Sequence, residues 1–147
     1  MTKPSPKTNA AAAAGLTLPA GEQARLARYG RARWPYEACG LLLGRGGRVE
    51  RLVLCRNIAE RRRDRYLLHP RDFLRWDRLG HRLGLEILGV WHTHPEGGAV
   101  PSETDRAQAW RGWSYLIAAV DRDTVTELRS WRLSADQFSE EALCLNP

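Results

Sequence analysis

Between residues 70 and 92 the spacing of apolar positions changes rhythm. Phe73, Trp76, Leu79 and Leu83 recur three and four apart, the spacing of a helix with one buried face, and Pro70 suits that helix's first position. From Glu86 to His92 the apolar residues Ile87, Leu88, Val90 and Trp91 crowd together, which predicts a buried strand with His92 and His94 at its end. Upstream, CGLLLGR (39–45) and RVERLVLCR (48–56) flank Gly46-Gly47, a pair suited to the positive φ angles of a tight hairpin. Leu16-Thr17-Leu18 reads as a short strand, and residues 21–33 as a helix ended by Trp34-Pro35. Residues 57–65 are polar and irregular, and Tyr66-Leu67-Leu68 reads as another short strand. After a loop at 95–101, residues 102–111 predict a short helix, 114–120 (SYLIAAV) a central strand, and 124–133 a further strand. Hairpin connections outnumber helical crossovers, so the expected class is mixed α/β with a mostly antiparallel sheet flanked by helices.

At 147 residues the chain suits one domain, expected over 16–147 behind a flexible tail at 1–15 rich in Ala, Pro, Thr and Lys. No apolar run approaches the ~18 residues a membrane span needs, so a cytoplasmic location is the default expectation. Cys39, Cys55 and Cys144 are widely spaced without a CxxC pair, which predicts reduced, buried thiols. The net charge of +6 is concentrated between Arg45 and Arg65, where eight arginines face three acids. Such a run is usually a solvated face, although it would also attract an acidic partner.

The chemistry concentrates in WHTHPEGGAVPSETD, residues 91–105. Strand residues two apart share a side, so the imidazoles of His92 and His94 would face one pocket and supply half of a zinc site. Asp105, in the first turn of the following helix, is the nearest third ligand, leaving a fourth position to water. Helix capping alone would also account for Ser102 and Asp105.

These residues resemble the JAMM signature of MPN-plus (Mov34/MPN/PAD-1-like) metallopeptidases: His-x-His, seven residues, Ser, two residues, Asp. An upstream E-x-C-G-x-L-x-G pattern is matched by Glu37 to Gly44, and Thr93 stands where many members have Ser. The resemblance covers most of residues 16–133 and implies the small stand-alone bacterial type, with a cytidine-deaminase-like JAB fold. It implies that His92, His94 and Asp105 hold one Zn2+, that Glu37 is the general base for a metal-activated water, and that Ser102 donates to the oxyanion. It further implies a peptidase or isopeptidase cutting after the C-terminal Gly-Gly of a ubiquitin-like or sulfur-carrier protein. Residues 56–65 would then border the groove and meet an acidic face of that carrier. His69 reads as a helix-flanking residue, His81 as a helix surface residue, Cys39 as packing despite its closeness to Glu37, and most tryptophans as core. The rival readings are a catalytically silent MPN scaffold and, from the arginines alone, a nucleic-acid-binding protein.

Overall fold

The computed structural model describes residues 15–146, so the first fourteen residues of the expected tail lie outside the described residues. The described chain forms β1 (Leu16–Pro19), α1 (Ala20–Arg33), β2 (Cys39–Arg45), β3 (Arg48–Cys55), α2 (Pro70–Arg82), β4 (Glu86–His94), α3 (Glu103–Gln108), β5 (Ser114–Val120), β6 (Val125–Ser134), β7 (Gln137–Glu141) and β8 (Leu143–Asn146). All eight strands join one sheet in the order β7-β6-β5-β4-β2-β3-β1-β8. Four neighbouring pairs are antiparallel and three parallel, namely β1 with β3, β1 with β8, and β4 with β5.

β7 and β8 occupy opposite edges of the sheet, yet only Ala142 separates them in sequence. One extended residue spans about 3.5 Å, so the two edges must come together. The sheet therefore curls round on itself, and the Leu16 amide closes the join by donating to the Ala142 carbonyl at 2.9 Å. Leu26 and Tyr29 of α1 pack on one face with Leu42, Leu52, Trp91 and Leu116. On the other face Phe73 and Trp76 of α2 pack with Leu41, Leu43, Val53 and Val90. This alternation is the period-two pattern of strands buried on both sides.

Gly46 and Gly47 turn the β2–β3 hairpin with φ of 56° and 75°. Gly40 has a different task. The Trp91 indole N–H reaches across β2 to donate to the Val53 carbonyl at 2.9 Å. A Cβ on Gly40 would lie 1.8 Å from that oxygen and 2.6 Å from the indole nitrogen, so only glycine leaves the path open.

Several expectations need correction. Tyr66-Leu67-Leu68 is not a strand: it contributes one isolated bridge, Asn57 with Leu68, because the Asn57 side chain rather than a ladder receives the Leu67 amide. α2 ends at Arg82 with Leu83 as its C-cap, but Leu83 is exposed; the buried face carries Gly80 instead, where a Cβ would meet the Leu85 carbonyl at 3.3 Å. α3 ends at Gln108, three residues earlier than its pattern suggests. Cys39 and Cys55 are buried as expected, but Cys144 is exposed on the edge strand β8.

Candidate functional site

The end of β4 is held between β2 and β5, with His92 opposite Cys39 on one side and Ile117 on the other. Because the strand persists to His94, both imidazoles emerge on one side and their Nε2 atoms come within 3.1 Å. His92 is fully buried, with the Tyr66 ring stacked on it at 4.3 Å, and its Nδ1 has no partner among the described residues. The Nδ1 of His94 lies 2.9 Å from the Gly98 carbonyl. A carbonyl can only accept, so Nδ1 carries the proton and the Nε2 of a neutral His94 presents a lone pair to the pocket.

The loop after β4 is fixed by Ala99, which is buried against Ile117 and Ala119 and whose carbonyl accepts from the Trp131 indole at 2.9 Å. It delivers the chain to a capping box on α3. Ser102 Oγ accepts from the Asp105 amide at 3.0 Å, and Asp105 Oδ2 accepts from the Ser102 amide at 2.9 Å. Asp105 Oδ2 also lies 3.2 Å from His92 Nε2 and 3.3 Å from His94 Nε2. The cap therefore does two things: it starts the helix and aims the carboxylate at both histidines.

Glu37 arrives from the segment before β2 and is only 4% exposed. Its amide donates to the Arg62 carbonyl at 2.7 Å, and its carbonyl accepts from the Asn57 side chain at 3.0 Å. Asn57 also donates to Arg65 and accepts from the Ala59 and Leu67 amides, so one amide group closes the 57–68 loop against Glu37. Glu37, His92 and His94 offer donor atoms within 4.8 Å of one another, and Glu37 Oε1 has no hydrogen-bond partner.

Three polar atoms 3.1–3.3 Å apart are held together either by shared protons or by a cation among them. Ligands about 2.0–2.1 Å from a tetrahedral zinc are about 3.3–3.4 Å apart, so the nitrogen and carboxylate donors fit that ion in kind and in spacing. The protonation of the pocket's own groups reflects the same crowding. Burial lowers His92 below its ordinary range, partly offset by Asp105. Burial also presses His94 down, but Asp105, the Gly98 carbonyl and Glu37 together raise it. Asp105 is pushed up by burial, yet the two histidines and the Ser102 amide hold it well below the carboxylate range. Burial lifts Glu37 to about 8; His94 opposes the rise while Asp105 and Asp64 add to it.

A cleft of about 300 Å³ opens beside these groups, lined by Glu37, Arg63, Asp64, His94, Gly97 and Ser102 among others. The structure thus brings all five expected residues to one place, with Ser102 exposed at the mouth. Of the neighbouring candidates, Cys39 turns its thiol to the Cys55 carbonyl and stays outside the donor group. His69 caps α2, its Nδ1 accepting from the Arg71 amide, and His81 sits exposed on that helix. Trp91 and Trp113 are buried, whereas Trp76, Trp110 and Trp131 are half-buried. Sequence reasoning missed Tyr66, Asn57 and Trp131. Only the stranded Asn in a polar stretch hinted at a loop-closing side chain.

Residues 19–134 match the family model of prokaryotic homologues of the JAB domain. The chain belongs to that family. As a JAB-domain protein it is 36% identical over 110 residues to the desampylase of Haloferax volcanii, covering 72% of this chain and 76% of that protein. It is 37% identical over 88 residues to the "Probable TtuB-protein conjugate cleaving protease" of Thermus thermophilus, covering 59% of this chain and 58% of that one. A solution structure from Desulfitobacterium hafniense superposes with a TM-score of 0.78 at 30% identity, over 89% of this chain and 92% of the other. A structure presented as JAMM, a metalloprotease-like zinc site in the proteasome and signalosome, superposes with a TM-score of 0.58 over 90% and 99% of the two chains. At 15% identity that likeness speaks for the fold alone. The mixed α/β JAB architecture and the JAMM resemblance expected from the sequence are both borne out.

Proposed function

We propose that this JAB-domain protein is a zinc-dependent hydrolase that releases a ubiquitin-like or sulfur-carrier protein by cutting the peptide or isopeptide bond after its C-terminal Gly-Gly. The relatives' names, a desampylase and a conjugate-cleaving protease, support the substrate class. The observation that carries the chemistry is the triangle of His92, His94 and Asp105 with the buried Glu37 carboxyl beside it. Two carboxyls compete for the place of third ligand. Asp105 makes the tighter triangle, and the wider 4.8 Å group that includes Glu37 leaves room for a water between carboxyl and ion. His92, His94 and Asp105 are therefore the ligands in this reading.

Zinc bound there would polarise the scissile carbonyl and acidify the attacking water. Glu37, pointed at the same space and lacking a fixed partner, takes that water's proton and returns it to the leaving amine. Ser102 accepts through its oxygen from the Asp105 amide, so its own O–H proton remains free to donate to the developing oxyanion. Gly97 and Gly98 leave the cleft wall without side chains, which suits an extended tail passing close by. No helix among the described residues is long and apolar enough to cross a membrane.

The test is mass spectrometry of TtuB joined through its C-terminus to a lysine-containing peptide, after incubation with the zinc-loaded protein. Release of the peptide with carrier of unchanged length is the expected result. An intact conjugate after prolonged incubation with zinc-replete protein would overturn the reading.

A further inference from the structure

Most of this protein's arginines that lie near an acid are used locally. Among the described residues many have carboxylate partners, Arg56 on Asp72 and Arg129 on Glu140 among them. The basic run at 56–65 is partly spent in this way: Arg56 and Arg61 are paired, and Arg62 stacks on the Tyr36 ring at 4.9 Å. The larger unspent charge lies on α2.

Arg71, Arg75, Arg78 and Arg82 are all exposed, and none of them has an ion pair among the described residues. At 3.6 residues per turn they fall within an arc of about 60°, opposite the face that buries Phe73 and Gly80, and they run for about 16 Å. The acids of the helix lie off this stripe: Asp72 faces Arg56, and Asp77 lies well round the helix. Four unneutralised cations so close together repel one another, which costs stability unless something else requires them.

The stripe is not purely ionic. The four arginines, with Leu74, Trp76 and Leu79, line a groove of about 440 Å³. Leu74 is 37% exposed, and the Arg75 guanidinium sits 5.3 Å over the Trp76 ring. Arginine and tryptophan beside exposed leucine is the composition of a protein-binding surface, whereas a phosphate track gains nothing from the leucines. A second copy is a poor occupant, because this chain carries +6 and would oppose like charges.

The stripe also begins at the right end of the molecule. The α2 residue Asp72 receives the Arg56 amide, Arg56 follows Cys55, and Cys55 pairs with Cys39, two residues from Glu37. The other end of α2 lies by Leu43 and Leu85, away from the histidines. Arg71 is thus the end nearest the catalytic cleft, and α2 covers the sheet face that carries Val90 and, two residues on, His92.

We propose that the solvent face of α2 docks an acidic, partly apolar patch on the folded body of the protein substrate while that substrate's tail lies in the cleft. This rests on the hydrolase reading for the tail, but not for the docking itself. The stripe supplies encounter rate and grip on the body, and Leu74 and Leu79 supply the dry contact that tells a matching surface from any other acidic one.

The probes are TtuB joined at its C-terminus to a fluorescent lysine peptide, and a fluorogenic peptide made of TtuB's last six residues alone. In the variant Arg75→Glu with Arg78→Glu, KM for the conjugate should rise about tenfold or more and kcat should stay within about twofold. KM for the short peptide should not move. An unchanged KM for the conjugate, or an equal rise for both probes, overturns the proposal. If the unmodified protein cleaves neither probe, the hydrolase reading fails, and docking is then judged by fluorescence anisotropy of labelled TtuB alone: binding weakened by the double reversal supports it, and binding that is absent or unaltered overturns it. A single-stranded RNA 20-mer bound more tightly than TtuB, and released by the same reversal, would assign the stripe to nucleic acid and also overturn it.

Discussion

Thr93 and Ala38 hold each other twice: the Thr93 amide donates to the Ala38 carbonyl at 2.9 Å, and the Ala38 amide donates to the Thr93 hydroxyl at 2.8 Å. Thr93 stands between the two histidines and Ala38 follows Glu37, so this pair fixes the proposed base relative to the proposed ligands. Thr93→Val keeps the shape but strands the buried Ala38 amide, an expected loss of about 1–3 kcal/mol in denaturant unfolding. Activity should fall with KM little changed, and Thr93→Ser, which keeps the hydroxyl, should restore most of it. Equal activity in the Val and Ser variants would remove the positioning role.

Metal content follows from the donor triangle. Elemental analysis should find about one zinc per chain in the unmodified protein and little in His94→Ala or Asp105→Asn, because two donors no longer enclose the ion. Zinc retained at full occupancy in both variants would place the ion elsewhere.

Glu37 makes the metal-free protein sensitive to pH. Its folded carboxyl holds a proton up to about 8, against 4.5 when exposed, chiefly because of burial. Between those values the folded state binds more protons than the unfolded one, so this group's effect is a loss of stability as pH rises from about 4.5 through about 8. After chelation, Glu37→Gln should therefore have a higher Tm than the unmodified protein at pH 8, with the gap closing toward pH 4.5. Parallel Tm curves for the two proteins across this range would contradict the assignment.

Ser102 serves both a cap and, in the proposed mechanism, an oxyanion. Ser102→Ala should cost about 1 kcal/mol through the cap and lower kcat far more than it alters KM. Ser102→Asp, which can still cap α3, should recover the stability without the turnover, and Ser102→Thr should recover both. Recovery of kcat in the Asp variant would show that only the cap matters.

The path over Gly40 predicts intolerance to the smallest side chain. Gly40→Ala forces the Trp91 indole or β3 to move, and a clearly lowered Tm is expected. A Tm within a degree of the unmodified protein would mean that the crossing has slack.

Residues close in sequence were readable because local geometry constrains them. The period of β4 already put His92 and His94 on one side, the Gly46-Gly47 pair announced the hairpin, and the spacing of Ser102 and Asp105 described a capping box whose carboxylate had to sit at the start of α3. Tertiary structure alone decided what crosses the chain. Glu37 reaches the histidines because the Asn57 amide and Thr93 bind the backbone around it, contacts between residues 20 and 55 positions apart that leave no periodic trace. Tyr66 spends its side chain on His92 instead of a strand, and the weakly patterned C-terminal residues become β7 and β8 because the curled sheet offers them two free edges. Hydrophobic rhythm records which face of an element is buried; which element buries it is settled only when distant segments satisfy each other's backbone groups and volume.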